Sequence, residues 1–242
     1  MAVNADPQAV QLALPLGRRD KTATIPYLRG SFNETALRAL GQSSDSGEPS
    51  AASPLASARM LAVVGPIGVG KSRLLALFAK TNNAEVLRPD EAGALAIPEE
   101  ASAIVIDDAH RAAALDLFNL YNVAAARERP FLISGAGRIE AWGQVGADAP
   151  LPDLVSRLSA LPIARLEAPD IEAMTLALNH ALRVSGLSLP ETVIADGAAR
   201  LCRRFSAVDA VAEAAVQRAE QGHYSAKALL EAAIGDNPDH IL

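Results

Sequence analysis

The sequence is poor in the residues that staple, anchor or charge a chain. It holds a single cysteine, Cys202, which excludes an internal disulfide and fits a reducing compartment. Aromatic residues make up 4%, with Trp142 the one tryptophan, so a core drawn from the 50% of hydrophobic residues must be aliphatic. Basic residues are outnumbered, 22 Lys and Arg against 28 Asp and Glu, and the net charge of −6 argues against a broad nucleic-acid footprint. No apolar run approaches the ~18 residues of a membrane span. The N-terminus lacks a basic stretch followed by a long apolar one, so no signal peptide is expected. These absences point to a cytoplasmic protein with no membrane partner. The 242 residues give room for one α/β domain and a small second lobe.

What is present is concentrated in one octapeptide. Gly65-Pro66-Ile67-Gly68-Val69-Gly70-Lys71-Ser72 follows the apolar run Leu61-Ala62-Val63-Val64 and fits the phosphate-loop pattern G-x-x-x-x-G-K-[ST]. In that pattern the backbone N–H groups of the glycine-rich turn, with Gly65, Gly68 and Gly70 at its bends, face phosphate oxygens. The following helix adds its positive dipole end. Lys71 is placed to reach the β- and γ-phosphates and Ser72 to hold Mg²⁺. A second acidic element, Ile104-Val105-Ile106-Asp107-Asp108, follows about 35 residues after Lys71. There Asp107 is a candidate for holding Mg²⁺ through water and Asp108 for orienting the attacking water.

Aliphatic runs predict strands at 60–64, near 85–87, at 103–106, 130–134 and 163–166. A helix after Lys71 and another carrying Leu115, Phe118 and Tyr121 (or Leu120) on its apolar spacing separate them. Strands alternating with helices predict an α/β fold, a parallel sheet with helices on both faces. Ser31-Phe32-Asn33-Glu34 has the S-x-x-E capping-box form, predicting a short helix over 30–40. From Pro169 onward no strand is expected. Helices are predicted at 170–185, 191–203, 206–221 and 225–234, broken by Gly186, Pro190 and Gly222, as a small all-helical lid. The domain reading is a tail over 1–20, a nucleotide-binding domain over 21–168 and a lid over 169–242.

Two further elements are open to more than one reading. Arg157, in Leu151-Pro152-Asp153-Leu154-Val155-Ser156-Arg157-Leu158, fits a surface arginine paired with Asp153. In a nucleotide-binding assembly it also fits an arginine finger, whose forked guanidinium suits a phosphoryl transition state in a neighbouring subunit. The tail segment Gln11-Leu12-Ala13-Leu14-Pro15-Leu16 fits a partner-binding peptide, because apolar clusters on tails mark partner sites. It also fits an extra edge strand on the home sheet, which Pro15 permits.

On these residues the chain resembles the bacterial replication-initiator (DnaA) branch of the AAA+ ATPases, and within it the initiator-inactivating homologues. Gly30-Ser31-Phe32-Asn33-Glu34-Thr35-Ala36 matches the branch's G-x-x-N-x-x-A segment, which implies that Asn33 lies near the adenine. The loop at 65–72 and the acids Asp107 and Asp108 match its Walker A and Walker B motifs. Leu117 through Asn122 resembles the helix after Walker B, and Leu151 through Leu158 the box whose finger falls on Arg157. Gln11, Leu12, Leu14, Pro15 and Leu16 resemble the peptide with which the inactivating homologues bind the DNA polymerase sliding clamp. The resemblance implies ADP or ATP with Mg²⁺ as ligands, and the clamp and the initiator DnaA as partners. No counterpart of the initiator's helix-turn-helix module precedes Leu242, so no sequence-specific DNA binding is expected. Nucleotide-dependent self-assembly is left open.

Two positions depart from the branch. Ala136 stands where the sensor-1 polar residue belongs, with Ser134 the nearest substitute. Ala207 stands at the sensor-2 arginine, with Arg203 and Arg204 within one turn. Both imply weak intrinsic hydrolysis and favour an adaptor that activates ATP hydrolysis in a partner. The alternative is a self-assembling ATPase or helicase-loader-like protein, in which Arg157 completes a neighbour's copy of the same site.

Overall fold

The computed structural model describes residues 11–12, 28–40, 59–89, 101–143, 151–222 and 224–240. They divide into two compact units, Ser31–Ala168 and Pro169–Leu242, the second joined by the described residues up to Gly30.

The first unit is built on a parallel sheet. Its strands are β2 (Met60–Val64), β3 (Val86–Leu87), β4 (Ile104–Ile106), β5 (Phe131–Gly135) and β6 (Ile163–Arg165), in the order β3-β4-β5-β2-β6. Each strand predicted from an aliphatic run forms within one residue of its expected bounds. Continuous burial explains why the runs were visible: β4 and β5 are buried along their whole length, as strands covered on both faces must be. The order places β5 between the phosphate-loop strand β2 and the acidic strand β4. The chain leaves β2 toward one edge, returns strand by strand to β5, and then passes beyond β2 to β6. That reversal creates a crevice at the carboxyl ends of β2 and β5, where ligands of open α/β sheets bind.

Helices α1 (Glu34–Ala39), α2 (Lys71–Thr81), α3 (Ala114–Ala126) and α4 (Pro152–Ser159) accompany the sheet. On α2 the buried residues Lys71, Leu74, Leu75, Phe78 and Ala79 follow helical spacing. On α3 the buried stripe is Leu117, Leu120 and Ala124. This corrects the predicted apolar face at Leu115, which is 61% exposed; Phe118 and Tyr121 are partly buried against the core, and Leu120, the alternative to Tyr121, is fully buried. The capping box is also corrected. The helix starts at Glu34 with Asn33 as N-cap, and Glu34 pairs with Arg38 one turn on. The cause is tertiary, since the Phe32 carbonyl accepts the Glu167 N–H at 2.8 Å and both Phe32 and Asn33 are buried.

The second unit contains α5 (Ile171–Val184), α6 (Glu191–Arg200), α7 (Phe205–Gln221) and α8 (Ala226–Gly235). Asp170 caps α5 through the Ala173 N–H at 2.8 Å, and Ser225 caps α8 through the Ala228 N–H. Its core joins Met174, Leu178, Leu182, Val211, Leu229 and Ile234 with small buried residues on α7 such as Ala212 and Ala215, which let helices approach closely. The expectation of no strand beyond Pro169 is overturned. Strand β7 (Leu187–Ser188) pairs antiparallel with β1 (Gln11–Leu12), Gln11 facing Ser188 and Leu12 facing Leu187. A two-residue strand has no run long enough to show periodicity.

Candidate functional site

The turn Gly65–Gly70 joins the end of β2 to the first residue of α2. Gly68 (φ 81°) and Gly70 (φ 101°) take left-handed backbone, which a side chain would strain. Val69 is buried beneath the turn while Ile67 projects from its tip, 69% exposed. Lys71 opens α2, and its ammonium donates to the Gly65 carbonyl at 3.0 Å and the Pro66 carbonyl at 2.8 Å. Burial holds that ammonium below its ordinary pKa, and the nearby carboxylates of Asp108 and Asp107 pull the other way. A buried lysine satisfied only by neutral carbonyls fits an anionic ligand well: phosphate oxygens would supply the charge the carbonyls lack. Ser72, the next residue, is exposed beside it.

Asp107 closes β4. Its Oδ1 accepts the Ser134 hydroxyl at 2.5 Å and the Asp108 N–H at 3.0 Å, and that same N–H lies 3.3 Å from the Ser134 oxygen. Ser134 is fully buried on β5, next to β4. Asp108 takes left-handed backbone (φ 52°), which aspartate tolerates better than most residues, and this turns the chain sharply after Asp107. Among the described residues no three His, Cys, Asp or Glu side chains gather as a metal cage. Ser72 and Asp107 carry oxygen donors of the kind that could hold Mg²⁺ in company with phosphate oxygens and water.

Asn33 is 1% exposed at the start of α1. Its segment is tied to the crevice by the Phe32–Glu167 hydrogen bond and by the Leu166 N–H donating to the Val64 carbonyl at 2.8 Å. Thus the segment precedes a helix anchored beside the carboxyl end of β2.

Ala136, at the position where the sequence resemblance expects a polar sensor residue, has no polar side chain, but its main chain is engaged on both sides. Its N–H donates to His110 Nδ1 at 3.4 Å, and its carbonyl accepts the Trp142 indole N–H at 2.9 Å. His110 also lies 3.9 Å from the Asp108 carboxylate. Burial pushes the His110 pKa down, Asp108 opposes this, and the Lys71 charge adds to the lowering. Lys71, Asp107, Asp108 and His110 therefore form one electrostatic group. Neither His110 nor Trp142 belongs to a motif visible in the sequence. The available signal was the histidine two residues after the Asp pair.

Ala207 lies fully buried on α7, within the core of the helical unit, so an arginine at this position would have to enter that core. Arg203 and Arg204 are both exposed, and Arg203 reaches the Pro169 carbonyl at 3.5 Å.

Arg157 is held by α3. Its Nη1 donates to Asn122 Oδ1 at 2.9 Å, and its guanidinium carbon lies 5.1 Å from the Phe118 ring centre and 5.2 Å from that of Tyr121. The pairing with Asp153 is looser, at 3.5 Å, and the side chain remains 36% exposed.

No protein-family model and no curated protein matches the sequence. Solved structures do match in fold. Domain III of the Thermotoga maritima replication initiation protein DnaA aligns with a TM-score of 0.65 at 16% identity, over 89% of this chain and 95% of that one. The Thermotoga maritima RuvB Holliday junction branch migration motor aligns with a TM-score of 0.55 at 15% identity, over 73% of this chain and 61% of that one. The replication initiator DnaA bound to AMPPCP and single-stranded DNA aligns with a TM-score of 0.50 at 17% identity, over 78% of this chain and 63% of that one. The chain spans about three fifths of the length of these last two. The chain has the AAA+ fold: a parallel five-stranded sheet with helices, as in DnaA and RuvB. No helix among the described residues is long and apolar enough to cross a membrane.

Proposed function

We propose that this chain is an adenine-nucleotide-binding regulator of replication initiation, of the kind represented by the DnaA-inactivating homologue Hda. It docks on the DNA polymerase sliding clamp through Gln11, Leu12, Leu14, Pro15 and Leu16, and presents Arg157 to ATP held by DnaA. Hydrolysis of that ATP switches initiation off.

The observation that supports this reading most is the seat of Arg157. Two aromatic faces and one amide orient the guanidinium, and its described partners all lie on α3 and α4 rather than in the phosphate loop. A planar fork held in place and still accessible is what a finger supplied to another subunit requires. Such a finger in trans contributes about 10³–10⁵ in rate.

The chain's own loop serves a resident nucleotide, ADP or ATP. The turn at Gly65, Gly68 and Gly70 holds the phosphates, Lys71 exchanges its two carbonyl partners for phosphate oxygens, and Asn33 flanks the base. Ser72 and Asp107 hold Mg²⁺, which when bound neutralises phosphate charge. Asp108 orients water. With alanine at 136 and 207, that nucleotide chiefly sets conformation.

The test compares wild type with Arg157→Ala and Arg157→Lys, using ATP-loaded initiator and DNA-loaded clamp. Both variants are expected to lose stimulated hydrolysis while still binding the clamp, the lysine failing because it lacks the fork. Equal stimulation by wild type and variants overturns the finger assignment. Unchanged clamp affinity after deletion of residues 1–16 overturns the tail assignment.

A self-assembling ATPase is the second reading, favoured by the intact bonding of Asp107 to Ser134 and Asp108. Substantial DNA-stimulated hydrolysis by the isolated chain would establish it in place of the first.

A further inference from the structure

The main chain of Ala136 is clamped between two side chains that the nucleotide chemistry leaves unused. On one side His110 Nδ1 accepts its N–H at 3.4 Å, as the lone pair of a neutral ring with its proton on Nε2 can. On the other side Trp142 donates to its carbonyl. The His110 and Trp142 rings face each other at 6.4 Å, tilted by 53°. Trp142 is only 2% exposed. Its indole lies so close over the end of β5 that a Cβ on Gly135 would fall 2.4 Å from the ring. The indole and the strand end are therefore in close contact.

Each end of this clamp is attached to something functional. His110 lies against Asp108 and shares the field of Lys71. Trp142 follows the short turn Ile139–Ala141, which packs on α4, and Trp142, Ile139, Leu154 and Leu158 belong to one buried cluster. Leu154 and Leu158 are the core-facing residues of the helix that carries Arg157. A path made of a 3.9 Å approach, two hydrogen bonds and a shared buried cluster thus runs from Asp108 at the phosphate site to the arginine helix. Because closely packed cores switch between discrete arrangements rather than deform smoothly, such a path can carry a change at one end to the other.

From this we infer that His110 is a positioning residue: through the Ala136 main chain and the Trp142 indole it ties the state of this chain's own nucleotide site to the seating of α4 and Arg157. It takes over, by way of the backbone, the sensing role that the side chain of Ala136 cannot perform. This rests on the reading of the phosphate loop as a nucleotide site and of Arg157 as the outward-acting group.

Trp142 is the only tryptophan in the chain, so its emission reports on the clamp directly. The experiment uses the full chain with Mg²⁺ and either ADP or a non-hydrolysable ATP analogue, and follows binding by calorimetry, Trp142 emission, and amide exchange over residues 152–159. In wild type the two nucleotides are expected to give different emission and to change exchange in α4 by about fivefold or more, the lower end of known couplings. His110→Phe is expected to bind nucleotide yet lose both responses. His110→Asn, whose Oδ1 replaces Nδ1 as acceptor, is expected to restore them. Trp142→Phe, read by exchange alone, is expected to lose the α4 response. Binding to wild type without an emission or exchange change, or full responses in His110→Phe or Trp142→Phe, overturns the relay and leaves the nucleotide reading standing. No calorimetric binding to wild type overturns the nucleotide reading, and the relay with it.

Discussion

The Ser134 hydroxyl donates to the Asp107 carboxylate at 2.5 Å, across the neighbouring strands β5 and β4. This bond fixes the acid at the strand end before any ligand arrives. Ser134→Ala fits the same buried space but removes the donor. It is expected to cost about 1 kcal/mol of stability and to weaken Mg²⁺-dependent nucleotide binding more than Mg²⁺-free binding. Urea unfolding and calorimetry with and without Mg²⁺ check both parts.

Lys71→Met removes the ammonium beside the turn and leaves the Gly65 and Pro66 carbonyls without that side-chain donor. Losing a charge-assisted contact of about 1.5–3 kcal/mol corresponds to roughly 10- to 100-fold in affinity. Wild type at a nucleotide concentration about 100 times its Kd should gain about 2.7 kcal/mol of stability. The variant at the same concentration should gain only about 0.4–1.4 kcal/mol, as thermal unfolding would show.

His110 supplies a pH dependence with a definite sign. Its folded pKa lies below the ordinary 6.5, chiefly through burial. Below about 6.5 the unfolded chain therefore binds more protons than the folded one, and stability falls as pH drops toward the folded value. Above that range the contribution is complete. Comparing urea midpoints at pH 5 and 7.5 should show a smaller acid loss in His110→Asn than in wild type, and an NMR titration of His110 should have its midpoint below 6.5.

Gly135→Ala would push a methyl group into the Trp142 ring. Overpacking of this kind costs about 1–3 kcal/mol. The indole is expected to shift toward solvent, which a red-shifted emission maximum would record.

The sheet was legible because buried parallel strands are unbroken aliphatic runs, and the phosphate turn because its glycines and lysine sit at fixed spacing. What escaped was set by tertiary contact. The start of α1 moved from Ser31 to Asn33 because Phe32 is tied to Glu167. Phe118 and Tyr121 pack partly on the core, Tyr121 edge-on to Phe131, and also hold Arg157, a second contact that helical spacing alone does not reveal. His110 and Trp142 converge on Ala136 from opposite sides in sequence, through backbone groups that no side-chain pattern reveals.

The pairing of β1 with β7 bears on how any partner would take hold of the N-terminal peptide. The backbone of Gln11 and Leu12 is already engaged by Leu187 and Ser188. A protein that reads those two residues by adding them to its own sheet edge competes with the chain itself. Its apparent affinity is then the intrinsic one reduced by the fraction of molecules in which the pair is open. Capture of the tail therefore reports on the helical unit, since anything that steadies β7 withholds the peptide and anything that loosens it releases a ligand.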